Sequence, residues 1–290
     1  MFIGFSLPKN THIAKFGECI LNALVFLILW VIGVELGLVP DLVEKLGNIL
    51  LYLTVLIVLT IGSGLLSLYL FDKFSPCPYY KKSEQNQSDH ISLSGSVIQM
   101  GCLALGFVMA RFLPPQFLPP HGSNTVLLML LLFLVGLLLK NANISLKDTL
   151  LNRRGLYIST LFILSVLGGG LIFAAIFEEV SWSKGLALSS GFGWYSLSGT
   201  VMTDAYGAVW GSVALLNDLM REIIALIFIP HIMRYSSSAA IGVGGVTSLD
   251  FTLPTLQKAG GSQIVPLVIS FGFITNVISP ILMVFFSSLK

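Results

Sequence analysis

The sequence is poor in charged residues. Only 10% of its 290 residues are Asp, Glu, Lys or Arg, whereas 55% are hydrophobic and the mean hydropathy is +0.89. A soluble domain carries about a quarter charged residues, so this composition favours a protein that is embedded in a lipid bilayer. The net charge of +2 is small, and the basic residues are too scattered to form a surface for nucleic acid.

Cysteines and enzymatic motifs are scarce as well. The three cysteines, Cys19, Cys77 and Cys102, are odd in number and lack the spacing of metal ligands, which argues against a disulfide framework or a zinc site. The histidines are dispersed and no phosphate-binding loop occurs, so we expect neither an enzyme, nor a cofactor, nor a metal. Hydrolysis within the membrane by Ser and His has only weak support.

Long apolar runs dominate the chain. A helix needs about 20 apolar residues to cross the roughly 30 Å of hydrocarbon in a bilayer. Together these runs predict an all-α polytopic membrane protein with about 7 to 8 transmembrane helices. The predicted spans are 19–38, 47–71, 96–113, 125–139, 156–177, 208–233 and 264–286.

Two further apolar stretches, 186–203 and 239–256, are crowded with Gly, Ser and Thr, and the second contains Pro254. Glycine and proline interrupt helices, and interrupted helices line the substrate sites of many transporters. We therefore predict broken or re-entrant helices at both places. The sequence leaves open whether either stretch crosses the membrane.

Basic loops set the expected orientation. Two loops between predicted spans, 72–90 and 140–154, hold most of the Lys and Arg residues of that part of the chain. Loops rich in Lys and Arg face the cytoplasm, which also places the N-terminus inside. The basic segment before the first span is followed by no cleavage site, so we expect that span to be retained.

Segments 29–71 and 133–177 resemble each other. Each predicts a helix pair whose second member ends in a glycine-rich turn, 62–64 or 168–170, and an apolar tail. Corresponding helices of the two copies are three spans apart, so the copies would have opposite orientations, as in inverted-repeat transporters with a substrate site near the midplane. Chance similarity of apolar helices is the alternative. We interpret 1–290 as one transporter domain, with a first half at 19–113 and a second half at 124–290.

The predicted span 208–233 contains four polar residues that are unusual in a membrane helix: Asn217, Asp218, Arg221 and Glu222. Each charge there costs at least about 2.5 to 3.5 kcal/mol. Helical spacing places the three charges on one broad face, so one acid can pair with Arg221. The other acid must then hold a proton or an exchangeable cation, which predicts a proton-coupled cation transporter. The alternatives are a static triad bridged by Arg221 or a cluster that reaches water at a helix end.

The second broken stretch adds Asp250, within the polar patch 247–254. Backbone groups freed by glycines and Pro254 could bind the charged ends of a substrate there. Alternatively, Asp250 caps a half-helix by accepting from the N–H of Thr252 or Leu253.

The first broken stretch adds Tyr195, Ser196 and Ser198. Hydroxyls can replace water and an aromatic ring can lie over a cation, so these residues are candidates to line a substrate path. A packing face with aromatics at the interface is the alternative. Glu35 and Asp41 flank the end of the first span and are further candidates, or else carboxylates at the membrane interface.

Four stretches, 151–155, 190–199, 217–222 and 247–254, carry a family resemblance. In them the sequence resembles the lysine exporter family LysO, over nearly its whole length. The resemblance implies export of L-lysine and of toxic analogues such as thialysine across the bacterial inner membrane, by exchange with protons. The acid of the family's Arg-Glu pair corresponds to Glu222, and an acid after an early span corresponds to Glu35 or Asp41. Two departures from the family are expected: Leu249 stands where the family leads us to expect Met, and we expect this sequence to lack the apolar N-terminal helix that relatives carry before the basic segment.

The resulting hypothesis has L-lysine, protons and the lipid bilayer as partners, and a homo-oligomer is compatible with it. Glu222, helped by Asp218, would hold the lysine ammonium until a proton replaces it. Half-helix N-termini around Ser196, Ser198 and Asp250 would receive the carboxylate. The rival hypotheses are a transporter of another amino acid or cation and a membrane protein without transport activity, such as an intramembrane enzyme.

Overall fold

The structure is a computed structural model that describes residues 11–38, 42–76, 94–114, 118–120 and 152–289, with scattered positions between 123 and 134. These residues contain α-helices and short 3₁₀ turns and, within the described ranges, no strand. The prediction of an all-α protein is therefore confirmed. The helices are α1 (Thr11–Gly37), α2 (Leu42–Phe74), α3 (Ser94–Phe112), α4 (Arg153–Ile176), α5 (Trp182–Ser189), α6 (Tyr195–Tyr206), α7 (Ala208–Ile232), α8 (Ser237–Gly244), α9 (Leu253–Gly260) and α10 (Val265–Ser288).

Three helices in the described part of the chain are long and apolar enough to cross a membrane: the Gly47–Phe74 part of α2, α4 and α10. The latter two have 24 residues each, or about 36 Å at 1.5 Å per residue. Helix α7 is as long, with 25 residues, but carries the ionisable cluster. The span predicted at 125–139 lies largely outside the described residues.

The chain divides into two compact units. The first comprises Met1–Ile49, Ser94–Leu146 and Ser196–Leu215, and the second comprises Leu50–Leu93, Lys147–Tyr195 and Leu216–Lys290. The single transporter domain inferred from the sequence stays a prediction.

In the first unit, α1 and α3 cross at glycines. A side chain at Gly33 would overlap the backbone carbonyl of Leu103, and one at Gly106 would overlap that of Trp30. A Cβ at Gly37, four residues after Gly33, would lie 2.7 Å from the Cβ of Ala110 in α3. Small residues spaced by four are a common means by which membrane helices pack backbone against backbone.

In the second unit, α2 and α4 run antiparallel, since positions along α4 fall as those along α2 rise. One end of the pair is marked by Tyr52, whose hydroxyl donates to Glu179, and the other by Asp72. These are called the Tyr52 end and the Asp72 end. The pairs in contact, in order, are Tyr52 with Phe177 (ring centroids 4.9 Å apart), Leu59 with Gly169, Ser67 with Ser165 (2.9 Å) and Asp72 with Arg154 (2.6 Å).

The glycine-rich runs 62–64 and 168–170 do not form the turns expected from the sequence, because both lie inside continuous helices. In α4, Gly168 faces open space, whereas a Cβ at Gly169 would lie 2.7 Å from the carbonyl oxygen of Leu59. Gly170 lies against Ser189 of α5. Gly169 and Gly170 serve close packing of helices and no turn forms, so the prediction of turns was wrong. The inverted repeat stays a prediction, because most of 133–151 lies outside the described residues.

Both stretches predicted as broken helices are interrupted. In the first, α5 ends at Ser189 and α6 begins at Tyr195; between them Phe192 has φ 51° and Gly193 φ 99°. In the second, α8 ends at Gly244, Gly245 has φ 57°, and a 3₁₀ turn over Gly245–Leu249 precedes α9. These positive φ angles favour glycine and end the helices.

The second broken stretch re-enters and does not cross. Its start lies at the Asp72 end, because Asp72 accepts hydrogen bonds from Ser236 Oγ (2.6 Å) and from the backbone N–H of Ser238 (2.8 Å). Its other end lies beside Met233, since a Cβ at Gly260 would be 3.0 Å from Met233 Cε. Met233 lies four residues before the start of α8 at Ser237. Helix α8 therefore begins, and helix α9 ends, at the Asp72 end. This answers a question that the sequence left open.

Candidate functional site

The two breaks of the second unit meet. The backbone N–H of Val246 donates to the carbonyl of Phe192 at 2.9 Å, and Gly245 lies against the same carbonyl. Helix α5 comes from the Tyr52 end, where Lys184 Nζ donates to the carbonyl of Glu179 at 3.0 Å, and α8 comes from the Asp72 end. Two short helices thus enter from opposite ends and stop at one place. This place, residues 190–194 and 244–252, is called the junction.

Helix α10 supplies donors to the junction. Ser279 Oγ donates to the carbonyls of Ser190 (2.8 Å) and Gly191 (3.2 Å), and Asn276 Nδ2 donates to that of Val246 (3.1 Å). Leaving a buried carbonyl without a partner costs about 1 to 3 kcal/mol. Side chains of α10 therefore replace helical hydrogen bonds that the carbonyls at the two breaks lack.

Hydroxyls of the second break bond two further carbonyls. Thr247 Oγ1 donates to Gly244 at 2.8 Å and Ser248 Oγ donates to Ile241 at 2.7 Å. These carbonyls lie in the last turn of α8, where four carbonyls lack a partner within any helix. Side chains thus donate a hydrogen bond to each of five backbone carbonyls at or next to the junction, those of Ser190, Gly191, Ile241, Gly244 and Val246.

Helix α7 brings the ionisable cluster to the junction. Its four polar residues are almost fully buried, with exposed fractions of 1% for Asn217, Asp218 and Arg221 and 2% for Glu222. Asp218 Oδ1 accepts from the backbone N–H of Gly193 at 3.1 Å, which ties this carboxylate to the first break. Asn217 Nδ2 donates to the same oxygen at 3.1 Å.

Arg221 lies between the two breaks. A Cβ at Gly193 would be 3.1 Å from Arg221 Cδ, and one at Gly245 would be 3.5 Å from it. The guanidinium lies over the ring of Phe162, 5.7 Å from its centroid. Both breaks thereby fix the stem of Arg221, and the aromatic ring positions its charged end.

The Nε and Nη1 atoms of Arg221 are buried and have no hydrogen-bond partner among the described residues. The penalty for an unsatisfied buried group is about 1 to 3 kcal/mol, and it is larger for a charged one. Two of its three nitrogens therefore do not bond Asp218 or Glu222, so Arg221 does not act as the fully engaged bridge of a static triad. Nor does it reach the protein surface, since it is 1% exposed.

Asp250 is not part of this buried cluster. Its side chain is exposed and accepts from the N–H of Phe251 at 2.5 Å. The N–H of Leu253 donates to the backbone carbonyl of Asp250 at 3.3 Å, and that of Thr252 to Thr247 at 2.9 Å. In this described turn, neither of these two N–H groups donates to the side chain of Asp250, so the capping bond that the sequence suggested is absent.

The remaining candidates lie elsewhere. Tyr195 is half-buried at the start of α6, and Ser196 and Ser198 are buried in α6 within the first unit. Glu35 belongs to α1, but its side chain and the whole of Asp41 lie outside the described residues. For these five residues a role in binding stays a prediction.

Sequence reasoning missed several residues of the junction. Asn276 and Ser279 are two polar residues three apart in an apolar span, a signal that was available in the sequence. Thr252 is fully buried, and its hydroxyl has no hydrogen-bond partner among the described residues. A Cβ at Gly244 would lie 2.6 Å from that hydroxyl. No group of three or more His, Cys, Asp or Glu in the described part of the chain could hold a metal ion.

Comparisons with known proteins identify the family of the chain. The family model described as lysine exporter LysO matches residues 100–287. The lysine exporter LysO of Escherichia coli K12 is 37% identical over 289 residues, which cover 99% of this chain and 96% of that protein. A protein of Haemophilus influenzae, provisionally named a lysine exporter, is 47% identical over 189 residues, which cover 65% of this chain and 96% of that protein. No solved structure matches the chain. The chain is a membrane protein that belongs to the lysine exporter LysO family.

Proposed function

We propose that this protein exports L-lysine, and analogues such as thialysine, across the bacterial inner membrane in exchange for protons. Two relatives are named as lysine exporters. The observation that carries the mechanism is the burial of Asp218, Arg221 and Glu222 on the helix that contacts the junction of two broken helices. Ionisable residues inside a membrane protein mark ion and substrate pathways far more often than they serve packing.

The exchange follows from the chemistry of buried carboxylates. A carboxylate taken out of water is stable only when it is neutralised by a proton or by a cation. We assign this position to Glu222, with Asp218 as its helper, and the cation to the side-chain ammonium of lysine. Because a proton and an ammonium compete for one carboxylate, binding of a proton from outside promotes release of lysine.

Opposite entry of the two short helices supports alternating access. Helix α8 starts at the Asp72 end and α5 at the Tyr52 end, and both stop at the junction. Under the orientation predicted from the basic loops, the Asp72 end faces the cytoplasm. Movement of one short helix then opens the site to the cytoplasm, and movement of the other opens it to the outside.

The direct test is transport by purified protein in proteoliposomes loaded with labelled lysine. An inward proton gradient is expected to accelerate lysine efflux, and collapse of the gradient is expected to slow it. Competition by ornithine, arginine, thialysine and Na⁺ distinguishes lysine export from transport of another amino acid or cation. Absence of lysine movement in folded protein would refute the proposal.

Replacement of Glu222 is expected to have a large effect. Glu222→Gln keeps the size of the side chain but removes the charge, so gradient-driven efflux should fall to the level of empty vesicles. The matched control is Glu178→Gln, because Glu178 is exposed and should be replaceable without loss. Efflux at the wild-type rate by a folded Glu222→Gln protein would show that this acid does not carry the exchange.

A further inference from the structure

We infer that Arg221 is the receptor for the α-carboxylate of the transported amino acid. This inference rests on the proposed function and deepens it, because it names the part of the substrate that the junction recognises. The sequence alone assigned the carboxylate to half-helix N-termini, and the geometry points to the arginine.

The first argument is the state of the donors on Arg221. Its side chain is 1% exposed, and Nε and Nη1 have no acceptor among the described residues. Both atoms are donors only, since a guanidinium has no acceptor and stays protonated. The missing partner must therefore supply acceptor atoms, and a carboxylate is the ligand whose geometry a guanidinium matches best.

The second argument is the state of the surrounding acceptors. Asn276 and Ser279 bond the carbonyls of Val246, Ser190 and Gly191, and the carbonyl of Phe192 accepts from Val246. These carbonyls already have donors, so the side chain of Arg221 has not been placed there to satisfy them. Its stem is nevertheless held between Gly193 and Gly245, at the point where the two breaks meet.

The third argument is a second unsatisfied group at the same break. The buried hydroxyl of Thr252 also lacks a partner among the described residues, and it lies against Gly244, next to the glycine that contacts Arg221. A hydroxyl can donate to a carboxylate oxygen. Two separate elements, α7 and the second break, thus each place a buried donor without a partner among the described residues beside one of two consecutive glycines of the junction.

The half-helix N-terminus at α9 is less suited to this role. The N–H groups that precede it are already bonded: Phe251 to Asp250 Oδ1, Thr252 to the carbonyl of Thr247, and Leu253 to that of Asp250. A carboxylate arriving there would have to displace these bonds. At Arg221 it would displace no bond of Nε or Nη1, since neither atom has a hydrogen-bond partner among the described residues.

The arrangement balances charge within the site. The guanidinium binds the α-carboxylate, and the acid at Glu222 binds the side-chain ammonium. A substrate without a carboxylate would leave Nε and Nη1 of the buried guanidinium without an acceptor, which is costly. The protein should therefore discriminate strongly between lysine and otherwise similar amines.

Three compounds test this: lysine, lysinamide and cadaverine, which carry at the same carbon a carboxylate, a neutral amide and hydrogen. In wild-type proteoliposomes, lysine should be preferred over the other two by about 10- to 100-fold in apparent affinity, the range of a lost charge-assisted hydrogen bond. In Arg221→Gln the preference should disappear, mainly through weaker lysine binding. Arg221→Lys should restore part of it, and Arg234→Gln, at an exposed arginine, should retain it.

Arg221→Met serves as a second neutral variant should Arg221→Gln fail to fold, since an apolar side chain of similar volume often replaces a buried charge without loss of stability. Wild-type discrimination in a folded neutral variant would overturn the inference while leaving lysine export intact. Equal transport of all three compounds by the wild-type protein would overturn it too. Failure of the wild-type protein to move lysine is a different result, which refutes the proposed function itself.

Discussion

The crossing of α1 and α3 in the first unit and the junction of the second unit are held together differently. At the crossing, continuous helices approach so closely that Gly33 and Gly106 each lie against a backbone carbonyl of the other helix. At the junction, helices are interrupted, and side chains such as Asn276 and Ser279 bond the freed carbonyls. Shape holds the crossing, whereas exchangeable hydrogen bonds hold the junction. The difference indicates that the junction is the part able to rearrange around a ligand.

The largest expected effect comes from filling the crossing. Gly106→Val places a side chain onto the carbonyl of Trp30, and overpacking of this kind costs about 1 to 3 kcal/mol or more. We expect a clear fall in melting temperature in detergent and a loss of monodisperse protein on size exclusion. Gly101→Val is the control on the same helix, because nothing lies within 4 Å of a Cβ at Gly101. Equal melting temperatures for the two variants would mean that α1 and α3 are not tightly packed.

An intermediate effect is expected from removing one bond at the junction. Asn276→Ala deletes the donor to the carbonyls of Val246 and Gly272 and should cost about 1 to 3 kcal/mol of stability. Lysine efflux should fall by a larger factor than stability alone explains, because the second break loses its support from α10. Ser287→Ala removes a hydroxyl from the same helix that donates to the carbonyl of Val284, within that helix, and should leave efflux unchanged. A stable, fully active Asn276→Ala protein would contradict this view of the junction.

The smallest expected effect separates binding from stability. Thr252→Val removes a buried hydroxyl that has no partner in the described structure, so stability should stay within about 0.5 kcal/mol of wild type. The apparent affinity for lysine should nevertheless fall by about twofold to tenfold, as for one lost neutral hydrogen bond. Thr54→Val is the control, since Thr54 is exposed and bonds only within its own helix. A destabilised Thr252→Val protein with unchanged affinity would assign the hydroxyl to folding.

Much of the junction could be predicted from the sequence. Gly, Ser and Thr crowd two stretches that are otherwise apolar enough for the bilayer, and the helices are interrupted within both. Burial of Asp218, Arg221 and Glu222 could be predicted as well, because charges inside an apolar span must lie within the protein and not against lipid. Both predictions use local composition, which a sequence displays directly.

Contacts between distant segments could not be predicted in the same way. The glycines at 168–170 were expected to form a turn, but Gly169 packs against α2 and Gly170 against α5, which only the fold reveals. Asp250 was a stronger candidate than Thr252 because it carries a charge, yet Asp250 is exposed and Thr252 is buried. A polar residue in a sequence does not identify its partner, and in the described structure the partners are up to 166 residues away, as for Ser238 and Asp72.

The re-entrant hairpin of α8 and α9 has a consequence for the order of assembly. During synthesis the hairpin emerges before α10, yet Asn276 and Ser279 of α10 bond the carbonyls at which both broken stretches stop. A segment that enters and leaves at one side, and that frees backbone groups midway, cannot be released into lipid by itself as a spanning helix can. The hairpin must therefore be received by protein already in place and completed by α10, a helix of 24 residues. A chain that stops before Asn276 consequently has the described helices that precede α10 but an unfinished junction.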